Sequence, residues 1–312
     1  MINEYIVYSS IYGGIVGDAL GVPYEFLSRN VIHENPITTM DGYGTYNMPP
    51  GTWSDDSSLT LASLDSLSDG INYEDMMNNF AGWYTNSEYT PAGILFDIGA
   101  TTKYSIERYI NGTSPLNCGG SGVKDNGNGS LMRIMPFVLY ANHHNLSKNE
   151  MVKIIDEASS LTHAHQISKV SCNIYNFICQ EIINNKDDSS INELIINGVD
   201  VANNFYQKQD LTEFNRILNL EIFDLKEDDI ISGGYVLTSL EASLYSFINA
   251  TNYKDAVLTA VNLGNDTDTI GMITGGLAGL YYGYDNIPKE WIETLINKEL
   301  IDKICNKFIS NL

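Results

Sequence analysis

The segment TIGMITGGLAGLYYGY, residues 269–284, is apolar along its length and places Gly271, Gly275 and Gly279 four residues apart. Four residues is close to one helical turn, so the three glycines fall on one face of a helix. Such a stripe suits paired membrane helices, but a membrane span needs roughly 20 apolar residues. The segment is too short, and it reads instead as a buried core helix whose small face admits a neighbouring backbone. Outward from it, apolar residues recur at helical spacing over residues 2–20, 59–67, 73–84, 151–161, 167–183, 191–206, 234–248 and 253–261. Strand-like alternation is scarce. The polar stretches 184–192 and 221–229 read as surface connections, and no repeat, long linker or low-complexity block divides the chain. The expectation is an all-α fold with one domain over residues 1–312.

Composition narrows the function. The chain has 312 residues, 43% of them hydrophobic and 18% charged, a globular composition rather than a disordered one. Its 39 acidic against 17 basic residues leave a net charge of -22, which repels a nucleic-acid backbone. Nucleic acid is therefore excluded as the expected partner, and a membrane is not indicated. Cys118, Cys172, Cys179 and Cys305 show no CxxC spacing, so neither a zinc site nor a disulfide framework is expected. The N-terminal MINEYIVYSSIYGGIVGDALG lacks a basic n-region and carries Glu4 and Asp18, unlike a secretory signal. Together these point to a reduced, cytoplasmic setting.

Two acidic motifs open apolar helices. In GTWSDDSSLTLASL they are Ser54, Asp55 and Asp56; in NLGNDTDTIGMITGG they are Asp266, Asp268 and Thr269. Helix capping and the helix dipole account for either one alone. In combination, a hydroxyl with an Asp-Asp pair and a hydroxyl with Asp-x-Asp offer the oxygen set that hard divalent cations take. If the motifs meet, carboxylates packed without cations repel and stay protonated, so an ionised cluster requires metal. An EF-hand is not indicated, because its glycine and its twelfth-position glutamate are missing.

The run SGVKDNGNGSLMR, residues 121–133, precedes another apolar helix, so backbone N–H groups near Gly129 and Ser130 are open to approach by a diphosphate. It matches neither a P-loop nor a dinucleotide fingerprint. Arg133 beside it suits a phosphate or an internal salt bridge equally well. His163, in SLTHAHQIS, is placed at the start of an amphipathic helix, where a hydrogen-bonded packing role is the ordinary one.

Four segments, in order and in approximate spacing, resemble the ADP-ribosylglycohydrolase family: GGIVGDALGVPYEF (13–26), GTWSDDSSL (51–59), GNGSLMRIMP (127–136) and NLGNDTDTIGMITGGLAGLYYG (262–283). A fifth, FDIGATT (96–102), resembles the Asp-Ile-Gly segment of the dinitrogenase-reductase-activating and arginine-type members. The resemblance implies an orthogonal helical bundle with two magnesium ions, or manganese in their place, at the bottom of a cleft. The implied metal ligands are Ser54, Asp55, Asp56, Asp266, Asp268 and Thr269, with Ser54 standing where the family usually has threonine. A hydroxyl ligand survives that exchange.

By the same resemblance Glu25 is a mobile carboxylate that helps hold a metal-bound water or transfers a proton, and Asp97 faces the leaving group. Gly127, Asn128, Gly129, Ser130 and His163 contact the substrate. The implied reaction is hydrolysis of the bond joining ADP-ribose to a protein or a small conjugate, through an oxocarbenium-like transition state. Arginine is the implied linkage, with ADP-ribosylserine and O-acetyl-ADP-ribose as alternatives. A non-catalytic ADP-ribose binder is a further alternative, against which the intact acidic residues speak. A nucleotide-sugar transferase using Asp266 and Asp268 as a clamp would need strands alternating with helices, which the sequence does not display.

Overall fold

The computed structural model describes residues 2–312, and among these fifteen α-helices follow one another. They are α1 (Glu4–Gly21), α2 (Arg29–Glu34), α3 (Asp55–Leu67), α4 (Tyr73–Asn86), α5 (Ala100–Ile110), α6 (Met135–His143), α7 (Lys148–Ser160) and α8 (Gln166–Asn185). Then come α9 (Ile191–Tyr206), α10 (Asn215–Leu218), α11 (Val236–Ile248), α12 (Tyr253–Asn262), α13 (Thr267–Tyr282), α14 (Lys289–Thr294) and α15 (Lys298–Ser310). Short 3-10 turns link several of them. The described residues contain no β-strand, only two isolated bridges, so the all-α expectation holds and the strand-bearing transferase architecture is absent.

The central element is the antiparallel pair α1 and α13. Both are apolar around nearly their whole circumference, as helices at the middle of a bundle must be. The glycine stripe of α13 meets a second stripe on α1. A methyl group added at Gly13, Gly17 or Gly21 would come within 3.0 Å of the α13 backbone, and so would one added at Gly271, Gly275 or Gly279 against α1. Tyr253 of α12 donates to the Gly13 carbonyl at 2.6 Å, and Thr267 donates to the Gly21 carbonyl at 2.7 Å, so the crossing is also pinned by buried hydrogen bonds. No helix among the described residues is long and apolar enough to cross a membrane.

The outer helices follow the ordinary rules. Ser147 with Glu150 and Ser190 with Glu193 form reciprocal capping boxes that start α7 and α9. The 184–192 stretch is shorter as a connection than expected, because Asn184 and Asn185 remain in α8 and α9 resumes at Ile191. The 221–229 stretch carries two 3-10 turns on the surface. All four cysteines are buried and free.

Because α1 and α13 run antiparallel, the C-terminal end of one lies beside the N-terminal end of the other. The acids Asp18 and Asp268 are brought together there.

Candidate functional site

The floor of the site is built from helix ends. Asp18, in the last turn of α1, is fully buried, and its carboxylate accepts from the Ser54 and Ser57 N–H groups at 3.0 to 3.1 Å and from the Ser57 hydroxyl. It thereby caps the first turn of α3 from another helix. Ser54, the N-cap of α3, accepts from the Asp56 N–H at 3.3 Å and donates to Asp56 Oδ2 at 3.3 Å. Across the gap, the Thr269 hydroxyl of α13 donates to Asp56 Oδ1 at 3.3 Å. The two acidic motifs, more than two hundred residues apart in sequence, thus touch.

The wall is formed by Glu25 and Asp97. A 3-10 turn over Val22–Tyr24 follows α1 and delivers Glu25 into the interior, where Tyr46 donates to its Oε2 at 2.6 Å. Asp97 lies in the approach to α5 with φ of 50°, a left-handed conformation that is costly for a residue bearing a side chain and common at binding sites. Oxygens of Glu25, Asp97 and Asp268 lie within 4.8 Å of one another, as do those of Asp18, Asp56 and Asp268. Asp268 belongs to both groups. Asp55 and Asp266 face the same cavity, and Asn128 donates to Asp266 Oδ2 at 2.8 Å.

This assembly cannot hold all its charge unaided. Burial, followed by the charges of neighbouring acids, pushes the carboxyls of Asp55, Asp56 and Asp268 far above the ordinary range. Burial and the Asp97 charge raise Glu25 to about 9, and burial raises Asp18 to about 6. None of these acids makes an ion pair with Lys or Arg among the described residues. Asp268 Oδ2 is moreover buried with no hydrogen-bond donor. Such an atom normally finds a partner, and carboxylate and hydroxyl oxygens converging on it fit a hard divalent cation.

Above the floor lies a cavity of about 350 Å³. Gly127, Asn128 and Gly129 line one side, and no protein acceptor takes the N–H of Gly129 or Ser130 among the described residues. The Ser130 side chain points the other way, into the core, where its hydroxyl accepts from Ser159 at 2.9 Å. Ser130 therefore offers only its backbone. Next to Gly129 lies Thr102 of α5, whose N-cap Gly99 provides no side-chain cap, which leaves first-turn N–H groups beside the cavity. Among the described residues Lys124 is the one cationic side chain in the lining.

His163 also borders the cavity, but it precedes α8 rather than starting it. The N-cap of α8 is His165, and the 162–164 stretch is instead held by Gly120, whose N–H donates to the Thr162 carbonyl and whose carbonyl accepts from Ala164. Arg133 takes neither partner expected of it. It is fully buried, outside the cavity lining, and has no carboxylate mate among the described residues.

Sequence reasoning overlooked Asp18, Tyr46 and Lys124. For Asp18 there was a signal, a carboxylate inside an otherwise apolar helix. Tyr46 and Lys124 sit in irregular segments that carry no periodic pattern.

Comparison with known proteins gives a consistent picture. The pattern of the ADP-ribosylglycohydrolase family matches residues 6–312. ADP-ribosylarginine hydrolase Tri1 of Serratia proteamaculans (strain 568) is 31% identical over 304 residues, covering 96% of this chain and 77% of that protein. The ADP-ribosyl dinitrogen-reductase glycohydrolase of Rhodospirillum rubrum is 26% identical over 291 residues, covering 91% of this chain and 87% of that one. A solved ADP-ribosylglycohydrolase-related protein complex superposes with a TM-score of 0.82 at 26% identity, over 99% of this chain and 98% of the other.

Proposed function

The chain belongs to the ADP-ribosylglycohydrolase family, hydrolases of glycosidic bonds, and on that footing we propose that it releases ADP-ribose from ADP-ribosylated arginine in a magnesium-dependent reaction. One observation carries the reading: acids from α1, α3 and α13 converge on Asp268, whose unpartnered oxygen lies beneath a cavity rimmed by free backbone N–H groups.

In this reading the first cradle for cations is Ser54, Asp55, Asp56, Asp266, Asp268 and Thr269, with Asp18 buttressing α3 behind it. When bound there, two divalent ions would supply Lewis acidity to the ribose hydroxyls and to an attacking water. Glu25 moves the proton. Its carboxyl is held by Tyr46 at one oxygen, and burial with the Asp97 charge pushes its pKa above the ordinary carboxylate range, so it can give a proton to the leaving group and, once ionised, take one from water. Asp97 grips the departing guanidinium through charge-assisted hydrogen bonds. The diphosphate lies against Gly127–Ser130, the first turn of α5 and the Lys124 ammonium, which together offset two negative charges that the acidic floor would otherwise repel. We take residues 1–312 to work as one domain, since the site draws on α1 and α13 together.

The test is a panel of ADP-ribosylated arginine peptide, ADP-ribosylated serine peptide and O-acetyl-ADP-ribose, each with magnesium, with manganese and with chelator. Release of ADP-ribose from the arginine conjugate is expected with magnesium and not with chelator. Full turnover in chelator would refute the metal dependence, and preference for the serine conjugate would refute the linkage. Asp97→Asn is expected to slow the arginine conjugate roughly 10- to 100-fold, the worth of a hydrogen bond to a charged partner, and to leave O-acetyl-ADP-ribose much less affected. Equal losses on both substrates would remove Asp97 from acceptor recognition.

A further inference from the structure

Arg133 presents a physical problem. Among the described residues its guanidinium is fully buried, it has no counter-anion, and its Nε and Nη1 lack any protein partner. Burial pushes its pKa down only to about 10, so it remains charged at neutral pH. A buried cation of this kind is costly, and the ring of Phe80, 4.8 Å from Cζ, compensates in part. Its remaining contacts are made by Nη2, which donates to the Ala158 carbonyl at 3.0 Å and to the Thr162 hydroxyl at 2.8 Å.

The second of those contacts leads to the cavity. Thr162 Oγ1 lies 2.9 Å from His163 Nδ1. An arginine has donors and no acceptor, so the Thr162 oxygen spends a lone pair on Nη2, and the only other partner for its own hydrogen is Nδ1. The group is buried, and leaving that hydrogen unpaired would cost free energy. Nδ1 is then an acceptor. His163 is itself buried away from bulk solvent, and desolvation, with the Arg133 charge second, lowers its pKa to about 3. The neutral ring has one N–H, and it must sit on Nε2. That atom makes no hydrogen bond among the described residues, belongs to a side chain that lines the cavity, and lies under the loop, where a methyl placed on Gly127 would be 3.2 Å away.

We propose that Arg133, acting through the Thr162 hydroxyl, locks His163 as the tautomer protonated at Nε2 and so presents a fixed hydrogen-bond donor to an anionic oxygen held beside Gly127 and Gly129. Arg133 and Thr162 are positioning residues; His163 is the group that touches the ligand. The opposite tautomer would aim a lone pair at that oxygen. That this oxygen is a phosphate oxygen of ADP-ribose rests on the function proposed above, whereas the tautomer does not.

The experiment uses the full chain labelled with 15N-histidine and long-range proton–nitrogen correlation spectra, which separate protonated from unprotonated ring nitrogens. With five histidines in the chain, the His163 signal is assigned by its loss in His163→Gln. A single neutral tautomer with the proton on Nε2, unchanged between pH 5.5 and pH 8, is expected in the free protein. Protonation at Nδ1, or titration in that range, overturns the proposal. Thr162→Val is expected to populate both tautomers and to raise KM for the ADP-ribosyl conjugate roughly tenfold with kcat changed less than about twofold, and Thr162→Ser to restore both readouts. If Thr162→Val moves neither the spectrum nor KM, the relay does not operate. Arg133→Met, which keeps much of the buried volume, should reproduce the spectral change; should it fail to fold, the threonine pair still decides. Should the wild-type protein hydrolyse no conjugate, the proposed function falls while the tautomer is still read directly from the spectrum.

Discussion

Asp268→Ala is expected to lower kcat/KM for release of ADP-ribose by at least about a thousandfold, a loss of roughly 4 kcal/mol of transition-state stabilisation, with the helical circular dichroism unchanged. The size follows from position. Asp268 contributes an oxygen to both carboxylate groups, it is completely buried, and its Oδ2 has no other partner. Its removal therefore takes an oxygen from both carboxylate groups at once, whereas Asp97 belongs to one of them and Asp55 to neither. Stability should move in the opposite sense from an ordinary core mutation. In the wild type without metal the acids raise one another's proton affinity, so deleting one relieves repulsion. Metal-free Asp268→Ala should then melt no lower than the metal-free wild type. Magnesium at a hundredfold excess over its dissociation constant should stabilise the wild type by about 2.7 kcal/mol, several degrees or more in Tm, and should do little for the variant. Thermal melts with magnesium and with chelator check both statements. A variant that still gains stability from magnesium and still turns over would dissociate Asp268 from any metal.

How much of this was legible beforehand differs from element to element. The α13 stripe announced a close neighbour, and the answering stripe of Gly13, Gly17 and Gly21 was present in the same sequence at the same four-residue spacing. The two acidic motifs were legible as a pair because each opens an apolar helix. Their meeting was not, because it depends on the α1–α13 crossing carrying Asp18 beside Asp268. Helix α5 escaped the periodic reading for a plain reason: two of its three buried residues, Thr102 and Ser105, are polar. Helix α15 was missed although its buried residues Ile301, Ile304, Cys305 and Phe308 keep three- and four-residue spacing, interleaved with charged residues. His163 was misplaced relative to its helix because the bonds that shape residues 162–164 come from Gly120, and no local rule displays a bridge of that length.

The crossing itself supplies the other large effect. Gly17→Val is expected to cost roughly 4 kcal/mol or more, enough to prevent accumulation of a folded, soluble chain, and Gly17→Ala about 1 to 3 kcal/mol by overpacking. Even one methyl at Gly17 meets the Gly271 carbonyl, and the methyl at Gly271 would in turn meet the Gly17 carbonyl; backbone on both sides cannot rotate out of the way as a side chain does. Relief requires the two helices to separate. Because Asp18 follows Gly17 directly and Asp268 precedes Gly271 by one turn, separation widens the floor of the site, so Gly17→Ala should weaken magnesium-induced stabilisation beyond its effect on folding. Gly14, about one turn earlier in α1, provides the control. A methyl at Gly14 meets the sulfur and terminal methyl of Met272, a flexible side chain, and alanine gains about 1 kcal/mol of helix propensity over glycine. Gly14→Ala should accordingly be close to neutral in urea unfolding. Equal destabilisation by Gly14→Ala and Gly17→Ala would mean that α1 and α13 are not in backbone contact, and the common origin of core and acidic floor would be lost with it.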